Sequence, residues 1–150
     1  MARAPQNSRR QARPKLTLLG HQVKALAASP AAARLEAFPN PQLRRKYWIH
    51  FVCPEFTSLC PITGQPDFGI ITIDYMPQRL CLESKSLELY LGDFRNYGTF
   101  HEAVVNRILD DVLRACRPRQ ARVTGKFNPR GGIAITVVAA HPAALRSADA

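Results

Sequence analysis

Residues 46–77 read KYWIHFVCPEFTSLCPITGQPDFGIITIDYMP, and how this run folds decides the architecture. Its first part, KYWIHFVCPEF, is rich in aromatic and β-branched residues, which pack well on a pleated sheet and favour a strand. The end, GIITIDYMP, alternates. Ile71, Ile73 and Tyr75 fall on one side, Ile70, Thr72 and Asp74 on the other, which is the period of a second strand. Between them LCPITGQPDF is punctuated by Pro61, Gly64 and Pro66 and reads as a turn or loop. The expectation is a hairpin with a long tip.

Working outward, LESKSLELYLGDFRN places Leu87, Tyr90, Leu91 and Phe94 on one helical face. Ser84 or Ser86 is the expected N-cap, and Asn96-Tyr97-Gly98 ends the helix. Thr99 is expected to cap a second helix, with Glu102 closing a capping box. That helix carries the stripe Val105, Ile108, Leu109 and Val112, and Pro118 lies beyond its end. ARVTGKFNP and GGIAITVVA then read as two strands around the turn NPRGG. The order ββααββ predicts an α+β fold, a four-stranded antiparallel sheet with two helices on one face. Its open edges invite pairing with another subunit.

The chain has 150 residues and is 46% hydrophobic, enough for one domain with a real core. The net charge of +10 suggests a nucleic-acid binder until it is located. Residues 1–46 hold ten Lys/Arg and one acid, Glu36, a net +9; residues 47–150 hold eleven Lys/Arg and ten acids, a net +1. The body is therefore near neutral, and the basic character belongs to the leader. Such a leader reads first as a solvated tail, with residues 1–14 disordered. RNA contact and an acid-poor organellar transit peptide are its other readings. The stretch from Lys15 to Pro41 reads as loop or brief helix, so the domain is expected at 46–140, after a basic extension (1–45) and before a tail (141–150). No apolar run reaches the ~18 residues needed to span a bilayer, and the N-terminus lacks the apolar stretch of a secretory signal. Four cysteines without disulfide or zinc-ribbon spacing predict free thiols in a reducing cytoplasm.

Two residues at the hairpin tip can do chemistry. Cys60 and Asp67 bracket the turn, a thiol and a carboxyl able to share one pocket. A reactive thiol needs access and a lowered pKa, and an acid needs a partly dry site. Equally, Cys60 can be a small buried hydrophobe and Asp67 a turn-forming residue. Glu83, Lys85 and Glu88 are either solvated charges or ligand contacts. His101 and Glu102 begin the second helix. A carboxylate such as Glu102 reads a guanine-type edge by accepting from two adjacent N–H donors. Arg130, at the tip of NPRGG, can grip a phosphate. His50, Cys53, Cys60 and His101 would form a metal site only by tertiary coincidence, since no Cys-x-x-Cys or His-x-x-x-His pair exists, and no metal is expected.

CPEFTSLCPITGQPDFG (53–69), ESKSLELYLGDFRN (83–96), FHE (100–102) and GKFNPRGG (125–132) closely resemble the NADPH-dependent 7-cyano-7-deazaguanine reductases, the nitrile reductases of queuosine biosynthesis. The likeness is to the short, single-module kind and runs from about Lys46 to about Val138. It implies a tunnelling fold (T-fold), two stacked pentameric rings and active sites between subunits. It implies Cys60 as the nucleophile that forms a covalent thioimide and Asp67 as the proton donor. Leu82, Glu83, Ser84, His101 and Glu102 match substrate-binding positions. The ESKSLELY run matches the family's signature for NADPH, with Lys85 and Arg130 as contributors. The signature usually has a Lys where this chain has Glu88. A carboxylate there repels a cofactor phosphate, which Lys85, Arg130 or a basic residue of a neighbouring subunit would offset.

The implied chemistry is coherent. A nitrile is a poor hydride acceptor, and thiolate addition turns it into a C=N that protonation polarises. Two hydrides from NADPH then give the amine, with no metal or flavin. Two other readings remain: a GTP cyclohydrolase-type T-fold enzyme, which would call for zinc, and an RNA-binding protein acting through the basic leader. The leader lies outside the resemblance, so nucleic-acid contact is not expected of the domain.

Overall fold

A computed structural model describes residues 16–17, 19, 29–30 and 34–143. The expected disorder of residues 1–14, and most of the C-terminal tail, lie outside the described residues.

Two long strands follow from alternation. In β3, Pro66–Met76, every second residue from Asp67 to Tyr75 is buried, so the pleat that sinks Ile71 and Ile73 also sinks Asp67. Its partner β2, Ile49–Leu59, runs antiparallel, with Ile49 opposite Tyr75 and Ser58 opposite Asp67. The register shifts between Cys53 and Phe56. Pro54, which has no N–H to donate, lies in that break on an edge strand, where such irregularities are tolerated. The strands run further into the tip than the sequence suggests. The loop shrinks to residues 60–65, and Asp67 belongs to a strand rather than to the turn.

The other hairpin joins β5, Gln120–Arg130, to β6, Ile133–His141, through Gly131 and Gly132 alone. Both glycines have positive φ (58° and 79°), as a tight two-residue hairpin turn demands. Arg130 therefore ends a strand instead of standing on the loop. The sheet order is β2-β3-β5-β6, all antiparallel.

Helices α1, Ser84–Gly92, and α2, His101–Cys116, complete the ββααββ frame. Tyr90, Phe94, Val105, Ile108 and Val112 pack against Ile71, Ile73 and Val123 of one sheet face. Burying each such side chain contributes roughly 1.5–3 kcal/mol. Gly125 permits the close approach of α2, because a Cβ there would lie 2.6 Å from Val105 Cγ2. Among the described residues nothing covers the opposite sheet face, where Val52, Phe68, Ile70 and Val138 are exposed.

A second, two-stranded sheet was not foreseen. β1, Ala37–Pro39, pairs with β4, Leu80–Leu82, where the sequence suggested loop or helix. Strand pairing thus begins upstream of residue 46.

Both expected helix caps are corrected. Glu83, not Ser84 or Ser86, caps α1; its carboxylate accepts from the N–H of Lys85 (2.8 Å) and of Ser86 (2.7 Å). At α2 the N-cap is Phe100, with no side-chain cap. The Thr99–Glu102 box does not form because Thr99 is pinned elsewhere. Its N–H donates to the Leu59 carbonyl (3.0 Å), in line with the Leu59–Gly98 bridge. The helix consequently starts one residue later, and Glu102 falls one position short of the box.

Candidate active site

The tip 60–65 is closed by its own backbone. Cys60 N–H donates to the Gln65 carbonyl (2.8 Å), and Gly64 N–H donates to the Cys60 carbonyl (2.9 Å). Gly64 takes φ 70°, which a residue with a Cβ rarely adopts. The loop folds back over the half-buried Cys60. The Thr63 hydroxyl, the N–H groups of Thr63 and Ile62, and the Arg130 guanidinium pull the thiol down to about 7. An accessible, readily ionised thiol is the state a nucleophile needs.

Asp67 is only 5% exposed. Arg130 reaches it from the end of β5, with Nη1 donating to Oδ1 at 2.8 Å. His101 approaches from the first turn of α2, its Nε2 3.5 Å from Asp67 Oδ2. The imidazole lies flat on Phe127, ring centroids 3.8 Å apart and planes 11° apart, which fixes the orientation of its edge. Arg130 Nη2 also donates to Gln65 Oε1 (2.7 Å) and Thr63 Oγ1 (3.4 Å). Cys60, Asp67, His101, Glu102 and Arg130 line one cleft of about 360 Å³. It holds a thiol, a carboxyl and an imidazole for proton and bond chemistry, plus the exposed carboxylate of Glu102 for a ligand's N–H edge.

The remaining expected residues lie around α1. Ser84 and Glu88 line a second cleft, about 520 Å³, between α1 and β2, together with Cys53, Glu55 and Arg95. Lys85 Nζ is 3.3 Å from Glu88 Oε2. Leu82 is buried and donates its N–H to the Tyr75 hydroxyl (2.9 Å). Glu83 is buried as the α1 cap. Within one chain, therefore, the expected residues divide between two clefts and the wall beside them. His50 pairs with Asp74 instead of joining Cys60. Among the described residues no three His, Cys, Asp or Glu side chains cluster as a metal site. No helix among them is long and apolar enough to cross a membrane.

Sequence reasoning missed Thr63, Gln65 and Arg95. The Thr-Gly pair in the tip marked a turn, but nothing local shows that the Thr63 hydroxyl meets the Arg130 guanidinium.

The sequence profile of the family described as "QueF-like protein" matches residues 66–145. The NADPH-dependent 7-cyano-7-deazaguanine reductase of Nitrosomonas eutropha is 57% identical over 108 residues, 72% of this chain and 78% of that protein. The enzyme of the same name from Bacillus subtilis is 52% identical over 120 residues, 80% of this chain and 73% of that one. Among solved structures, an archaeosine synthase QueF-Like in its apo form matches with a TM-score of 0.56 at 23% identity, covering 63% of this chain and 91% of that one. That likeness carries the fold alone, and it agrees with the expected T-fold arrangement of an antiparallel sheet and two helices. With identity above one half across most of both proteins, the chain belongs to the QueF family, that of the NADPH-dependent 7-cyano-7-deazaguanine reductases.

Proposed function

We propose that the protein reduces the nitrile of 7-cyano-7-deazaguanine to the aminomethyl group at the expense of NADPH, in queuosine tRNA modification. Family membership supports the activity, and the convergence of a readily ionised Cys60 with Asp67 in one cleft is the observation that carries the mechanism.

Cys60 adds as thiolate to the nitrile carbon, and the nitrile nitrogen takes one proton. Asp67 takes the thiol's proton as a carboxylate and hands it to the nitrile nitrogen, so one hydrogen moves from sulfur to nitrogen, an S–C bond replaces the S–H bond, and the carboxylate ends as it began. Arg130 keeps the Asp67 carboxyl oriented during the exchange. Glu102 accepts from the base's N–H edge, and His101 beside it completes that end of the cleft. Remote binding energy thereby sets the nitrile over Cys60. Of the family's remaining substrate positions, Ser84 is exposed on the α1 cleft and takes the contact, while Leu82 and Glu83 are buried and support it, the Glu83 carboxylate as the α1 cap.

The cofactor's phosphates require cations. Lys85 on α1, Arg95 at its cleft and Arg130 at the other cleft provide them, although Glu88 engages Lys85. This donor set fits NADPH, which when bound supplies the hydride for each of two reductions.

The split of site residues between two clefts is explained if the working site forms between subunits. Among the described residues the outer edges of β2 and β6 are unpaired and the apolar face is uncovered, which supports a homo-oligomer, a decamer of two pentamers, in the cytoplasm, where Cys60 stays reduced. The test is NADPH consumption with the nitrile. Two NADPH should disappear per nitrile, and none with Cys60→Ala. Turnover that persists in Cys60→Ala would remove the mechanism.

A further inference from the structure

We propose that Gln65 is a positioning residue for Asp67, its side-chain oxygen holding one arm of the Arg130 guanidinium so that the other arm meets the acid. Arg130 stands at the end of β5, and its side chain is 38% exposed. A long side chain there has many rotamers, and a single hydrogen bond leaves it free to pivot. Two bonds to its planar fork fix both its place and its plane. Nη1 donates to Asp67 Oδ1 (2.8 Å) and Nη2 to Gln65 Oε1 (2.7 Å), with Thr63 Oγ1 a longer third contact (3.4 Å). Because a guanidinium only donates, the Gln65 amide has to present its oxygen.

The short run Gln65-Pro66-Asp67 builds both acceptors. Pro66 confines the residue before it to extended backbone and opens β3, so residues 65 and 67 fall on the same side of the chain. Gln65 is itself held in place. Its carbonyl accepts from Cys60 N–H (2.8 Å), and its own N–H donates to Thr63 Oγ1 (3.3 Å). One residue thereby links the nucleophile and the acid, Cys60 through its backbone and Asp67 through Arg130. The amide is neutral, so the charge of Arg130 is left for the buried Asp67. His101 Nε2 stands 3.5 Å from the other carboxylate oxygen and makes no hydrogen bond among the described residues. The orientation of Asp67 therefore falls to Arg130, and that of Arg130 to Gln65.

This role deepens the nitrile-reductase reading and rests on it for its effect on turnover, so one arm of the test uses neither substrate nor NADPH. Gln65 is exposed, and Gln65→Met keeps the length of the side chain but offers no oxygen. Crystals of the full-length variant should show Arg130 beyond hydrogen-bonding distance of Asp67. Gln65→Glu keeps an acceptor at the same reach and should keep the contact. In the second arm, Gln65→Met should lower kcat for the nitrile about tenfold, part of what a positioned acid contributes, with both KM values nearly unchanged. Gln65→Glu should recover most of that loss. An Arg130–Asp67 contact unchanged in Gln65→Met would overturn the proposal. So would a wild-type kcat in Gln65→Met, or a loss in Gln65→Glu as large as in Gln65→Met. A raised KM for NADPH at constant kcat would overturn it as well, because Gln65 would then present Arg130 to the cofactor's phosphates and not to Asp67. A wild type that consumes no NADPH contradicts the nitrile reading alone, and the crystals still decide whether Gln65 holds Arg130 on the acid.

Discussion

The two helices begin with acids of opposite fate. At the start of α1, Glu83 is 3% exposed and spends both carboxylate oxygens on the N–H groups of Lys85 and Ser86. At the start of α2 no side chain caps the backbone, and Glu102 is exposed on the wall of the Cys60 cleft. The first arrangement satisfies the helix from within and builds scaffold. The second leaves a carboxylate available to a ligand. Position decides the difference: Glu83 stands at the N-cap, where its carboxylate reaches the helix's orphan N–H groups, whereas Glu102 stands two residues past the Phe100 N-cap, inside α2.

That contrast can be broken most forcefully at Glu102. Glu102→Gln replaces one acceptor oxygen by a donor that opposes the base's N–H pair. It should lower kcat/KM for the nitrile by about a hundredfold, close to 3 kcal/mol, with an unchanged melting temperature. A stability loss without a kinetic one would reverse the roles assigned to the two acids. Next comes Glu83→Ala, which orphans two helix N–H groups and should destabilise the protein by about 1 kcal/mol in urea titration. An unchanged unfolding midpoint would show that the cap is dispensable. The smallest effect is expected at Glu88, on the exposed side of α1. Glu88→Lys frees Lys85 and adds a cation, so the KM for NADPH should fall a few-fold, with kcat nearly constant. No change would mean that position 88 does not face a phosphate.

Much of this architecture is legible in the sequence because it is periodic. Alternation from Ile70 to Tyr75 marks β3, and the stripe from Val105 to Val112 marks α2. The three-residue strands β1 and β4 are too short to carry a period, and they meet only through pairing across about forty residues of chain. The α2 cap shifts by one residue because Leu59, distant in sequence, holds Thr99. The same limit governs the site. Cys60, Asp67, His101 and Glu102 are readable as a set through their motifs. Arg130 is read as a phosphate ligand from its place in NPRGG, but its guanidinium meets Asp67 across 63 positions of sequence, a contact no local pattern encodes. Thr63 goes unread for the same reason, since the roles of its lone pairs depend on where Arg130 arrives.

The reaction at Cys60 is tested most directly by intact-protein and peptide mass spectrometry after incubation with the nitrile in the absence of NADPH. Wild-type protein should gain the full mass of the nitrile, with nothing lost, on the Cys60 peptide. The adduct should form faster as the pH rises through about 7, as the thiolate fraction grows, and Cys60→Ala should gain nothing. Wild-type protein that binds the nitrile yet shows no mass increase, or carries it on another residue, would contradict covalent catalysis at this thiol.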